Sequence, residues 1–195
     1  MEVVNLFPSD VYFEENTEID NKKLSKIILE KEKTEPSREM TNQGGWQGND
    51  DLHKDKRFSE VTDSVIKYFK LIHQNNSYED TVKIVLDNMW ANVNRHRDYN
   101  GSHTHGGVDW SFVYYVKSPK NSGNLVFCDP RIRKEMLPDN TFKNFDNLFT
   151  ATIWWEPPSD GKFVMFPSYL EHYVKFNTTD KPRISISGNI KMERQ

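Results

Sequence analysis

From Thr81 onward the chain is a succession of β-branched and aromatic runs broken by Gly, Pro, Asn and Asp. That rhythm commits most of it to short strands. The runs fall at 82–94, near 103–105, and at 110–117, 124–128, 149–155, 162–166, 171–177 and 183–190. Strands of this length and spacing predict a sandwich or jelly roll. The pattern before Thr81 is different. Ile19, Leu24, Ile27, Ile28 and Leu29 among charged neighbours predict a helix over 19–33. Phe58, Val61, Val65, Tyr68, Phe69 and Ile72 recur at three- and four-residue steps and predict another over 58–73. The expected fold is mainly β with N-terminal α-helices. One domain spans 1–195, with 1–80 as helical support and 81–195 as the β core, a size that one hydrophobic core can serve. The segment 129–148, with Asp129-Pro130-Arg131, is read as a long insertion between strands. Its Arg131 either reaches an anionic substrate or bridges surface carboxylates.

Composition narrows the function classes. With 12 Phe, 8 Tyr and 5 Trp the chain has the apolar bulk of a packed protein. A net charge of -3 gives no general attraction to nucleic acid or acidic membranes. Cys128 is the only cysteine, which excludes an internal disulfide and a cysteine-based zinc site. The opening MEVVNLFPSDVYFEEN lacks a basic, then apolar, signal pattern, and no run approaches a membrane span. The expected setting is cytoplasmic.

The histidines carry the chemistry. His103 and His105 lie two apart in a segment entered through Gly101 and left through Gly106-Gly107. An extended backbone would turn both rings to one face. A third, His172, follows Phe166-Pro167-Ser168 in a later strand, and Arg183 and Ser185 open the strand after that. Three neutral imidazoles converging inside a small β-fold suit iron, zinc or copper. A guanidinium grips a carboxylate through its planar fork, and a nearby hydroxyl adds a further bond. An alternative leaves Arg183 exposed at a strand start after Lys181-Pro182.

These residues resemble the iron(II)/2-oxoglutarate oxygenase superfamily, and most closely a bacterial and phage group with a His-x-His motif. The resemblance rests on Gly44-Gly45-Trp46-Gln47, His103-Thr104-His105, Tyr114-Tyr115-Val116, Asp129-Pro130-Arg131 and Phe166-Pro167-Ser168 followed by His172, in that order along the chain. It implies a double-stranded β-helix (jelly roll) holding Fe(II) at one mouth on His103, His105 and His172. It also implies 2-oxoglutarate bound through Arg183 and Ser185, with Asn92, Asn94 and Tyr115 or Tyr114 as further contacts. O2 and a primary substrate complete the reaction, with succinate and CO2 as products.

The sequence departs from the superfamily pattern at one ligand. His105 stands where a carboxylate is usual. It binds the metal itself, or Asp109 replaces it, or the metal keeps two protein ligands and an extra water. His96-Arg97-Asp98 fits the textual His-x-Asp pattern but falls in the turn after the first core strand and leaves His103-Thr104-His105 without a role. Two other classes share the histidines. A cupin-type protein would use His103, His105, Asp109 and His172 without 2-oxoglutarate, and a non-enzymatic β-sandwich binding module would need no metal chemistry. Trp46, Trp110, Trp154 and Trp155 could each line a pocket or build the core.

Overall fold

Alternation along β-strand segments 82–94 and 183–190 gives each an apolar side and a largely polar side, and the fold is organised by where these two sides go. The computed structural model describes residues 2, 4–131 and 151–194. Its elements are β1 (Tyr12–Glu15), α1 (Asn21–Thr34), β2 (Asn42–Gln43), β3 (Trp46–Gln47), α2 (Ser59–Asn75), β4 (Val82–Asn94), β5 (Tyr99–His103), β6 (Trp110–Lys117), β7 (Leu125–Cys128), β8 (Ile153–Glu156), β9 (Lys162–Pro167), β10 (His172–Val174) and β11 (Arg183–Arg194). Two antiparallel sheets form, a major one in the order β1-β9-β6-β11-β4-β3 and a minor one in the order β2-β5-β10-β7-β8. This is the jelly-roll arrangement of a double-stranded β-helix.

Both helices lie on the outer face of the major sheet. Asp20 caps α1 by accepting from the Lys23 amide at 3.0 Å, satisfying one of the donors that a helix start leaves open. Val61, Val65, Tyr68, Phe69 and Ile72 form the buried stripe of α2. They join Met89, Ala91 and Val93 of β4, Phe112 and Tyr114 of β6, and Ile184, Ile186 and Ile190 of β11 in one cluster. Each such side chain contributes roughly 1.5–3 kcal/mol by leaving water.

The other face of these strands is polar and looks inward between the sheets. Arg183, Ser185, Ser187 and Asn189 alternate with the core isoleucines along β11, opposite Asn94, Asn92, Trp90 and Asn88 of β4. On the other side Ser185, Ser187 and Asn189 face Tyr115, Val113 and Ser111 of β6. A sandwich interior with this many polar groups is built around a polar content, because an unpartnered buried polar group is costly.

The expected helices and the strands 82–94 and 110–117 match the structure closely. Two differences from the expected strands stand out. The first 80 residues are not only helical: β1 pairs with the edge strand β9, and the two-residue β2 and β3 extend both sheets. These pieces are too short or too polar to show alternation. The strand expected near 103–105 is instead 99–103 and ends at the first histidine. Residues 132–148 of the expected insertion, and the first two of the strand expected at 149–155, lie outside the described residues. Among the described residues no helix is long and apolar enough to cross a membrane.

Candidate metal centre

His172 on β10 and His103 on β5 are direct cross-strand partners in the minor sheet. A shared register on one face brings their rings to 4.3 Å between centroids. His105 lies beyond the end of β5. Its amide donates to the Ser168 carbonyl at 3.0 Å, and the Ser168 amide donates to the Asp109 carbonyl at 3.0 Å. The Ser168 hydroxyl donates to the Val108 carbonyl. Ser168 therefore clamps the loop after the histidine pair onto the turn before His172. The outcome is three rings whose ligand atoms all lie within 4.8 Å of one another.

The rings are set up as neutral donors. The Nδ1 of His103 lies 2.8 Å from the Gly101 carbonyl, and that of His172 lies 2.9 Å from the Leu170 carbonyl. A carbonyl only accepts, so each Nδ1 carries the proton and each Nε2 keeps its lone pair. Burial lowers the pKa of all three. His105 falls to about 4 and His172 to about 3, with repulsion from His103 adding in both cases. The set is thus deprotonated at neutral pH, as metal ligation requires.

The alternatives for the third position are engaged elsewhere. The Asp109 carboxylate accepts from the Met192 amide at 2.7 Å on the rim of β11, and Asp109 is absent from the cluster. The carboxylate of Asp98 accepts from the Arg95 amide at 2.6 Å in the turn after β4, which removes His96-Arg97-Asp98 from the site.

A cavity of about 230 Å³ joins the histidines to the polar inner face of the major sheet. Its closed end holds Arg183, 1% exposed. The Arg183 Nη1 donates to the carbonyls of Ser122 (2.7 Å) and Gly123 (3.1 Å). Among the described residues no carboxylate forms an ion pair with it, and burial pushes its pKa down to about 10. The Tyr115 hydroxyl, equally buried, and the Asn92 side-chain oxygen have no hydrogen-bond partner among the described residues. Burial raises the Tyr115 pKa to about 12, so the phenol stays protonated. A buried cation beside a protonated hydroxyl is a receptor for a carboxylate. The donor set fits a divalent metal, and the Arg183 end fits an anion chelated beside it.

The structure brings His103, His105, His172, Arg183, Ser185, Asn92 and Tyr115 to this one cavity. Asn94 is buried opposite Arg183 but outside the lining, its amide directed to Asn100 at 3.4 Å. Of the two tyrosines, Tyr115 points inward, while Tyr114 points outward and donates to Asn21 at 2.7 Å. Trp46 is a core residue whose indole donates to the Glu35 carbonyl, and its neighbour Gln47 lines the cavity. Trp110 is also in the core, and Trp154 and Trp155 are half exposed on β8. Arg131 pairs with Asp129 at 2.8 Å. Sequence reasoning missed Trp90, whose ring lies 6.0 Å from that of His105, although its alternation with Asn92 signals the inner face. It also missed Ser122-Gly123. The φ of Gly123 is +97°, and a Cβ there would meet the Lys175 carbonyl at 2.1 Å and Arg183 Nη1 at 2.8 Å.

A family model described as "Putative 2OG-Fe(II) oxygenase" matches residues 88–189, just over half of the 195-residue chain. Among curated proteins none matches the chain. Solved structures of the same fold include a Pseudomonas putida prolyl-4-hydroxylase, 13% identical, with TM-score 0.65 over 94% of this chain and 92% of that one. A Trichoplax adhaerens prolyl hydroxylase, in complex with a peptide fragment, is 11% identical with TM-score 0.64 over 93% and 83%. HygX from Streptomyces hygroscopicus, with nickel, 2-oxoglutarate and hygromycin B bound, is 11% identical with TM-score 0.59 over 94% and 83%. These likenesses establish the fold.

Proposed function

The chain belongs to the 2OG-Fe(II) oxygenase family, and from that premise we propose that it is a hydroxylase oxidising a C–H bond of its primary substrate. The observation that carries this reading is the joining of two receptors in one cavity, the neutral histidine cluster and the buried Arg183, which pairs with no carboxylate among the described residues. His103, His105 and His172 would hold Fe(II). Arg183, the Tyr115 hydroxyl and Ser185 would receive the distal carboxylate of 2-oxoglutarate, with Asn92 beside it on the inner face. Iron(II) with 2-oxoglutarate would activate O2, one oxygen atom going to succinate as CO2 is lost and the other to the hydroxylated product.

The chain's own part is placement. The carbonyls of Ser122 and Gly123 hold the Arg183 guanidinium at the closed end of the cavity. The carbonyls of Gly101 and Leu170 fix the tautomers of His103 and His172. Phe166, 4.6 Å from the His172 ring, and Phe127 wall the cluster with apolar surface. We read the helices as external support for one catalytic unit, and a reducing, cytoplasmic setting fits the unpaired Cys128. A cupin without 2-oxoglutarate would need Asp109 at the metal, and its carboxylate is bound to the Met192 amide instead.

Anaerobic addition of Fe(II) and 2-oxoglutarate tests the reading. A visible charge-transfer absorption that requires both components, and succinate formation on admitting O2, are the expected results. Tight Fe(II) binding with no response to 2-oxoglutarate would overturn it.

A further inference from the structure

The cavity has a second end, away from Arg183, that a metal on the histidines and 2-oxoglutarate on Arg183 would leave unused. Arg183 sits opposite Asn94 on β4, whereas Asp50 sits beside Met89, whose amide donates to the Asp50 carbonyl at 2.9 Å. Five residues of strand separate the two levels, roughly 16 Å at the ordinary rise. Trp90, in contact with His105, lies at the outer of these levels. The histidine cluster, next to Trp90 through His105, therefore lies on the outer side of Arg183, toward Asp50 at the open rim. At that rim Asp50 forms an ion pair with Arg38, Nη1 to Oδ2 at 2.7 Å, and both residues line the cavity half exposed.

Between the rim and the histidines the wall mixes Asn88, Ser111 and Asn189 with Met40, Trp90, Phe112 and Val113. Ser111 donates to Asn189 at 2.8 Å, and Asn189 donates to Asn88 at 2.8 Å. Trp90 supplies the one large apolar surface on this stretch of β4. At about 230 Å³ in all, the cavity is smaller than the roughly 300–1,000 Å³ of pockets for drug-sized ligands, and it has 2-oxoglutarate to house as well. Its substrate arm suits a small molecule.

The rim pair limits the charge of that molecule. A lone anion meeting Arg38 would be repelled by Asp50, and a lone cation meeting Asp50 would be repelled by Arg38. A ligand carrying adjacent opposite charges satisfies both, and neither a five-donor guanidinium nor a two-oxygen carboxylate is exhausted by one contact.

Building on the oxygenase reading above, we propose that the primary substrate is a free α-amino acid, its carboxylate on Arg38 and its ammonium on Asp50, with its side chain directed past Trp90 toward the histidine cluster. The headgroup stays at the rim, and a side-chain carbon is the one presented for oxidation.

The test is calorimetric binding of a panel of the common L-amino acids, and of their N-acetyl amides, to the full chain loaded with Zn(II) and 2-oxoglutarate. Zn(II) is redox-inert, so no turnover intervenes. The expected result is saturable binding of at least one free amino acid. Blocking its headgroup, and separately R38Q or D50N, should weaken it about ten-fold or more, while 2-oxoglutarate affinity and the thermal midpoint of each variant hold. If Zn(II) and 2-oxoglutarate bind but no amino acid does, or if blocked and free forms bind alike, this inference is overturned and the oxygenase reading stands. If Zn(II) and 2-oxoglutarate do not bind, the oxygenase reading fails and this one with it.

Discussion

Replacing Arg183 with Met separates a structural role from a binding role, because the two predict different magnitudes. Met fills much of the same volume and leaves no charge. In the folded protein burial lowers the guanidinium pKa from 12.5 to about 10, a penalty of roughly 3 kcal/mol that the variant no longer carries. Against this, two charge-assisted bonds to the Ser122 and Gly123 carbonyls are lost, costing about 1.5–3 kcal/mol each. The terms largely offset, so R183M should be destabilised by about 0–3 kcal/mol and remain folded. The loss of the carboxylate partner is not offset. Removing one member of a buried charged pair costs about 2–5 kcal/mol, which raises the 2-oxoglutarate Kd roughly thirty-fold to several thousand-fold. Anaerobic titration of the Fe(II) protein reads the Kd, denaturant melts read the stability, and equilibrium dialysis reads the metal. An unchanged 2-oxoglutarate Kd in a folded, iron-binding R183M would refute the reasoning.

Other outcomes follow from the same geometry. Gly123→Ala should cost about 1–2 kcal/mol from its positive φ alone, and should weaken 2-oxoglutarate binding by moving Arg183 Nη1; melts and the same titration check both. His172→Ala should lose measurable Fe(II) binding in dialysis, because it removes the most buried of the three donors, while the outer helical core keeps the chain folded. His105 and His172 have folded pKa values near 4 and 3, below the ordinary 6.5. The unfolded chain therefore binds protons first, and the metal-free protein should lose stability as pH falls below 6.5, on the order of 1–2 kcal/mol per ring by pH 5. Melts from pH 7.5 to 5 in chelator should show this decline; a midpoint flat to pH 5 would contradict it. For the same reason the metal affinity of the folded protein should change little between pH 7.5 and 5.5, where ordinary histidines would protonate and release the ion.

Much of this protein is determined locally and so is legible in one dimension. The β4 and β6 segments read as strands because β-branched and aromatic residues alternate between turn residues, and α2 reads as a helix because its apolar residues recur at three- and four-residue steps. His103, His105, His172 and Arg183 could be singled out because the chemistry of imidazole and guanidinium is restrictive enough to mark them. Tertiary structure decided what depends on registers between distant segments. Whether Tyr114 or Tyr115 faces the cavity is set by which face of β6 the helices cover. Whether Asp109 reaches the metal is set by the Met192 amide that holds it. That Arg183 is buried on two carbonyls depends on a glycine turn some sixty positions earlier in the chain. The Arg38–Asp50 pair and Trp90 carry no motif at all. They meet only because β3 and the segment after it fold back along β4, and no local pattern encodes that return.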